Sequence, residues 1–352
     1  MKKKYIWILV LLIVVVVEYF MLTGRKREEE IKSVEEDKIQ IGMSFDSFVI
    51  ERWIRDRDVF VSTAKELGAE VNVQNANGSI EEQQKQIDYF IEKGVDAIVV
   101  ISIDSYGLRN HVQKARDAGI KVVAYDRLIT DANVDLYITF DNAMVGTMMA
   151  DALLKEGLSG KNVLMLGGSE MDSNVPMVEE AFREKVVKND VVILDSMHAE
   201  GWKAELAADY IYEHLDVVAR VDGIMCGNDN LASRVVPALA EKRMAGDILV
   251  VGQDADLEAC QRIVEGTQLM TVYKPVEKLA KRAAECTVQL VQEGKVSGED
   301  VTEFDDGKQM VPYVGIAPIS VTKENMDEVI IDSGFHLRED VYLNVPGNKK
   351  GE

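Results

Sequence analysis

Residues 97–127 read AIVVISIDSYGLRNHVQKARDAGIKVVAYDR, and the fold follows from this stretch. Ala97 to Ile101 is an unbroken apolar run rich in β-branched residues, which suits a strand covered on both faces. Ser105 to Ala118 then carries apolar residues at helical spacing, and Gly119 stands where a left-handed residue can close a helix. Lys121 to Tyr125 is a second β-branched run. A strand, a helix and a strand in this order make a parallel pair joined by a crossover helix.

The unit repeats in both directions. Upstream, Ile39 to Phe45 and Glu70 to Gln74 read as strands, each followed by an amphipathic stretch, Ile50 to Leu67 and Ser79 to Lys93. Gly68 and Gly94 mark the same helix ends, and Leu136 to Phe140 adds a strand. After Asp141 a second set begins. Helices at Ala143 to Leu154, Val175 to Val187, Lys203 to Tyr212 and Ala232 to Lys242 alternate with strands at Asn162 to Leu166, Val191 to Met197, Gly223 to Cys226 and Ile248 to Val251. With 352 residues, 47% of them hydrophobic, the chain can fill two cores. The expectation is an α/β protein of two doubly wound, parallel-sheet lobes.

Open parallel sheets bind ligands at the carboxyl ends of their strands. At those ends stand Arg52 and Trp53, then Asp126 and Arg127, then Gly167, Gly168 and Asn174, then Asn228, then Asp254. Carboxylates, amides and guanidinium groups offer paired donors and acceptors that match vicinal hydroxyls, the ionised ones most strongly. Trp53 and Trp202 supply flat apolar surfaces with a polar edge, suited to the C–H faces of a pyranose. Taken singly, Asp126 or Asn228 reads as a cap or turn residue. Their joint placement at strand ends points to a site.

Longer motifs run through the same places: Glu51-Arg52-Trp53, Tyr125-Asp126-Arg127, Gly167-Gly168-Ser169, Gly227-Asn228-Asp229, Gly252-Gln253-Asp254-Ala255-Asp256, and Gly266-Thr267-Gln268 leading through Met270-Thr271-Val272 into Tyr273-Lys274-Pro275. From about Lys38 to about His336 the chain resembles the bacterial D-xylose-binding proteins. The resemblance implies that Arg52, Asp126, Arg127, Asn174, Asn228, Asp254 and Lys274 hydrogen-bond a pentose, with Trp53 and Trp202 against its faces. It also implies the type I fold of periplasmic binding proteins, whose lobes are joined by three crossovers, here near Asn142, Lys274 and Pro312. One lobe then takes residues 38–141 and 275–311, the other residues 142–274 and 312–337, with a tail at 338–352.

Lys2, Lys3 and Lys4 precede an apolar run from Tyr5 to Leu22 broken only by Glu18, long enough to span a bilayer. No small-residue cleavage site follows it, and the first cysteine is Cys226, so neither a cleaved leader nor a lipid-bearing cysteine is expected. Residues 1–27 therefore read as an uncleaved single-pass membrane anchor with the binding domain extracytoplasmic, and residues 28–37 as a charged linker. Tethering of this kind suits a sugar sensor that signals ligand-induced closure to the extracytoplasmic part of a membrane histidine kinase. The alternative is the substrate-binding component of an ABC xylose transporter, with a permease as partner.

Other classes are disfavoured. A formal net charge of −21 repels nucleic acid, and an apolar N-terminus stands where a repressor of similar core would carry a helix-turn-helix. No phosphate-binding loop, His-Glu-x-x-His or nucleophile elbow is present, and Arg127 beside Asp126 would hold that carboxylate ionised rather than ready it for acid catalysis. No enzyme activity and no cofactor are expected. The histidines fall at no metal-ligand spacing, and Cys226, Cys260 and Cys286 read as buried thiols.

Overall fold

The computed structural model describes Met21, Thr23 and residues 38–346. The expected anchor at 1–27 and linker at 28–37 otherwise lie outside the described residues. Among the described residues no helix is long and apolar enough to cross a membrane.

Strands β1 (Ile39–Phe45), β2 (Ala69–Asn75), β3 (Ala97–Val100), β4 (Lys121–Tyr125) and β5 (Leu136–Phe140) pair in parallel in the spatial order 5-4-3-1-2. Strands β6 (Asn162–Gly167), β7 (Val192–His198), β8 (Gly223–Cys226), β9 (Leu249–Gln253) and β10 (Met270–Tyr273) form a second parallel sheet in the order 10-9-8-6-7. The β-branched runs of the central strands are buried between helices, while the edge strands β2 and β7 stay partly exposed. Phe45, Phe60 and Phe90 are wholly buried in the first lobe and Phe182 in the second, each ring contributing about 1.5–3 kcal/mol. Cys226, Cys260 and Cys286 are buried free thiols.

Three passages join the lobes. The first follows β5, where the Asp141 carboxylate accepts from Met144 N at 2.8 Å and so caps the helix Asn142–Glu156 of the second lobe. The second follows β10, at Lys274 and Pro275, into the helix Val276–Glu293, which packs against Arg52–Glu66 of the first lobe. Strands β11 (Val301–Asp305) and β12 (Met310–Ile316) extend the first sheet, β12 lying parallel to β5. Strand β13 (Ile319–Thr322) then pairs antiparallel with β10 in the second sheet.

Two boundaries differ from expectation. The third passage falls at residues 317–318 and not near Pro312, because β12 runs through that proline. Pro312 faces Glu303 of β11 and precedes the stretch from Tyr313 that pairs with β5, so its missing N–H takes nothing from that ladder. The segment from Arg338 is no loose tail as far as residue 346. Its single helical turn docks on the helix Leu257–Glu265, with Val341 buried, Gln261 Nε2 donating to Asp340 O at 2.8 Å and Asn344 Nδ2 to Glu265 Oε1 at 2.8 Å.

Candidate functional site

The carboxyl ends of the two sheets face one another across a cleft. Its walls include Arg52, Trp53, Asp126, Arg127, Asn174, Trp202, Asn228, Asp254 and Lys274, so the structure brings these nine residues to one place.

On the first lobe, Asp126 follows β4 directly and adopts φ of +65°, a left-handed conformation that aspartate tolerates better than most residues. Its carboxylate accepts from Arg52 Nη2 at 2.7 Å. Arg52 also reaches Asp56 with Nε at 3.2 Å and Nη2 at 3.3 Å, and Asp56 takes the Tyr125 hydroxyl as well. The guanidinium rests 4.3 Å from the centre of the buried Trp53 ring. Burial would raise the Asp126 carboxyl, but Arg52, Lys274 and Arg127 outweigh it and hold the group below the usual carboxylate range. Asp56 goes the other way: burial raises it despite Arg52.

Arg127 bonds Asp46 Oδ2 at 2.7 Å and Ser102 O at 3.0 Å through Nη1, and its Nε lies 2.6 Å from Asp172 Oδ2 of the second lobe. Asp172 is a residue the strand-end reading passed over. It also accepts from Trp202 Nε1 at 3.2 Å and from the Asn174 backbone at 2.9 Å, so one loop carboxylate sets an arginine, an indole and a helix start. Burial raises its pKa in spite of Arg127. Trp202 in turn lies over Gly168, where any Cβ would come within 2.2 Å of the ring. Only glycine permits that approach.

The second lobe repeats the device at Asp254, which follows β9 directly with φ of +97°. Its Oδ1 lies 3.3 Å from Lys274 Nζ and 3.9 Å from Arg52 Nη1, and no hydrogen bond satisfies it. Asn228 uses Oδ1 to cap the helix Asp229–Glu241, accepting from Leu231 N at 2.9 Å, while its buried Nδ2 is without a partner. Gln253, the last residue of β9, donates to Gly227 O and leaves Oε1 unpartnered, and Glu179 leaves Oε1 likewise while Oε2 meets His198 Nε2 at 3.0 Å. Both line the cleft. Gln253 stands beside Asp254 at the strand end, as its place in the sequence indicates; Glu179 sits mid-helix, where its spacing gives no sign. Buried polar atoms without partners are costly, and those of Glu179, Asn228, Gln253 and Asp254 on the second lobe, with Trp53 Nε1 on the first, mark where hydroxyl groups of a ligand would be received.

The lobes touch over the cleft. Asn174 Nδ2 donates to Asp126 Oδ1 at 3.0 Å, Leu128 N to Ser173 Oγ at 2.8 Å and Ser105 N to Met171 O at 3.0 Å. Residues of both lobes line the cleft, so a molecule lying in it would touch both.

Residues 41–295 match the family model described as the periplasmic binding protein domain. Over 310 residues the chain is 39% identical to the D-xylose-binding periplasmic protein of Escherichia coli, covering 86% of this chain and 93% of that one. Over 309 residues it is 37% identical to the protein of the same name from Haemophilus influenzae, covering 86% and 92%. Among solved structures, an ABC transporter solute-binding protein from Clostridium phytofermentans with bound β-D-glucose superposes with a TM-score of 0.77 at 26% identity, covering 86% of this chain and 99% of that one.

Proposed function

The chain belongs to the periplasmic binding protein family, and from that premise we propose that it captures a pentose, D-xylose, outside the cytoplasm and delivers it to a membrane transporter. It is a binding protein and not an enzyme. The observation that carries the reading is the cleft itself, in which forked charged groups from one lobe face unpartnered amide and carboxylate atoms from the other. Such a set suits a neutral polyol, whose hydroxyls donate to Asp254 and accept from Asn228, while Trp202 covers an apolar face. The D-xylose-binding proteins of two bacteria, at 37% and 39% identity, support the choice of pentose.

Delivery is favoured over reporting to a histidine kinase. The sensor reading rests on a tether at residues 1–37, which falls outside the described residues apart from Met21 and Thr23, whereas the glucose-bound relative is described as part of an ABC transporter. Calorimetry against D-xylose, L-arabinose, D-ribose and D-glucose tests the ligand. Xylose is expected to bind about tenfold or more tightly than the epimers, because each misplaced hydroxyl leaves a buried group unpaired at about 1–3 kcal/mol. Equal affinities across the pentoses would refute the assignment.

A further inference from the structure

We propose that Asn142, at the first passage between the lobes, is a positioning residue that fixes the amide of Asn174 for sugar binding. The proposal rests on the sugar-binding reading above. Asn174 spans two partners: its Nδ2 donates to Asp126 Oδ1 at 3.0 Å and its Oδ1 accepts from Asn142 Nδ2 at 2.9 Å. An ionised carboxylate only accepts, so Asp126 obliges Asn174 to turn its NH2 group toward the first lobe. The Asn174 oxygen must then face Asn142, and Asn142 must donate. A single orientation of both amides makes this chain, with the buried Asn142 Oδ1 left over without a partner, and it ends on the Arg52 guanidinium, 2.7 Å beyond Asp126.

The fold gives the pair no slack. Asn142 is 3% exposed and opens the helix Asn142–Glu156 immediately after the passage from β5. That helix lies against Asn174–Lys188 so closely that a Cβ on Gly146 would stand 2.0 Å from Val178 O. The spacing of the helices therefore sets the reach of Asn142 to Asn174, and rotation at the hinge is felt by a residue of the cleft wall. Asn142 itself does not line the sugar cleft.

Titration of the full-length protein with D-xylose tests the idea. Asn142→Ala removes the donor but leaves Asp126 to orient Asn174, and is expected to weaken binding by about three- to tenfold. Asn142→Asp is nearly isosteric but places an acceptor against Asn174 Oδ1, so the amide turns over and sets its oxygen against Asp126; binding is expected to weaken by about thirtyfold or more. Once Asn174 is replaced by Ala, neither change at 142 should matter beyond about twofold. If Asn142→Ala does not fold, Asn142→Asp with and without Asn174→Ala supplies the same comparison. Losses at 142 that multiply with the loss from Asn174→Ala, or Asn142→Asp binding no worse than Asn142→Ala, would overturn the positioning role while leaving sugar binding standing. Failure of the unaltered protein to bind any of the four sugars would instead remove the functional reading and this proposal with it.

Discussion

Asp126 and Asp254 occupy the same place in the two lobes, each one residue past a central strand and each in left-handed backbone, yet their surroundings differ. Asp126 is enclosed by direct bonds from Arg52 and Asn174, and Arg52 and Arg127 are themselves held by Asp56, Asp46 and Asp172. Asp254 keeps an oxygen without a hydrogen bond, beside Asn228 and Gln253 with unpartnered atoms of their own. One wall is largely ion-paired before a ligand arrives, although its Trp53 Nε1 is left open, and the other keeps more of its polar atoms for the ligand. A preformed charged wall fixes where the ligand sits at little ordering cost on binding, whereas an incomplete amide wall gains bonds when the ligand enters. The two walls should therefore fail differently when altered.

The largest difference is expected at Arg127→Ala. Its removal leaves Asp46 and Asp172 buried without their counter-charge, so the sugar-free protein should lose about 3–5 kcal/mol of stability as well as nearly all affinity. Urea unfolding of the sugar-free variant measures this. Affinity lost at unchanged stability would show that the first wall is no more preformed than the second.

A smaller effect separates two roles on the second wall. Asn228→Ser retains an oxygen that caps the helix Asp229–Glu241 and deletes the unpartnered Nδ2, so stability should hold while xylose binds about tenfold more weakly. Asn228→Ala removes the cap too and should cost about a further 1 kcal/mol of stability. Wild-type affinity in Asn228→Ser would mean that Nδ2 is no sugar donor.

The contrast between the walls also marks how far the sequence could be read. Strand positions were legible because β-branched runs alternate with helical spacing, and the meeting of Asp126, Asn228 and Asp254 at one cleft was legible from their joint placement at strand ends. Asp172 was not legible as the hub for Arg127 and Trp202, since it lies five residues beyond β6 and its main partner is distant in sequence. The course of β12 through Pro312 depends on which neighbour pairs where, and the docking of residues 338–346 on a one-turn helix with no periodicity to read. What escaped are pairings between segments; what was seen are properties of segments.

The smallest expected effect concerns pH, where Asp126 of the first lobe and Asp229 of the second carry opposite signs. Asp126 has its folded pKa lowered despite burial, so its contribution is present above the ordinary value of 3.8 and is lost as pH falls through the lowered value. Asp229, beneath the second wall, accepts from Thr271 Oγ1 at 2.6 Å and Gln268 Nε2 at 2.8 Å, but burial pushes its carboxyl up from 3.8 to about 7. Its contribution is complete below 3.8 and is lost as pH rises through about 7, because the folded state alone holds a proton in that window. Burial raises Asp256 as well, with Asp229 adding to it, so removing one acid of the pair lets the other ionise more easily and relieves only part of the slope. Asp229→Asn should therefore flatten the fall in melting temperature across this window by on the order of 2 °C, equivalent to on the order of 1 kcal/mol, while Asp126→Asn should leave the same window unchanged and alter only the acid limb. Melting curves of the sugar-free protein at half-unit steps of pH distinguish the two. An unaltered slope in Asp229→Asn would mean that this carboxyl is already ionised in the folded second lobe, and the opposition between the walls would then end at the cleft instead of reaching the layer beneath it.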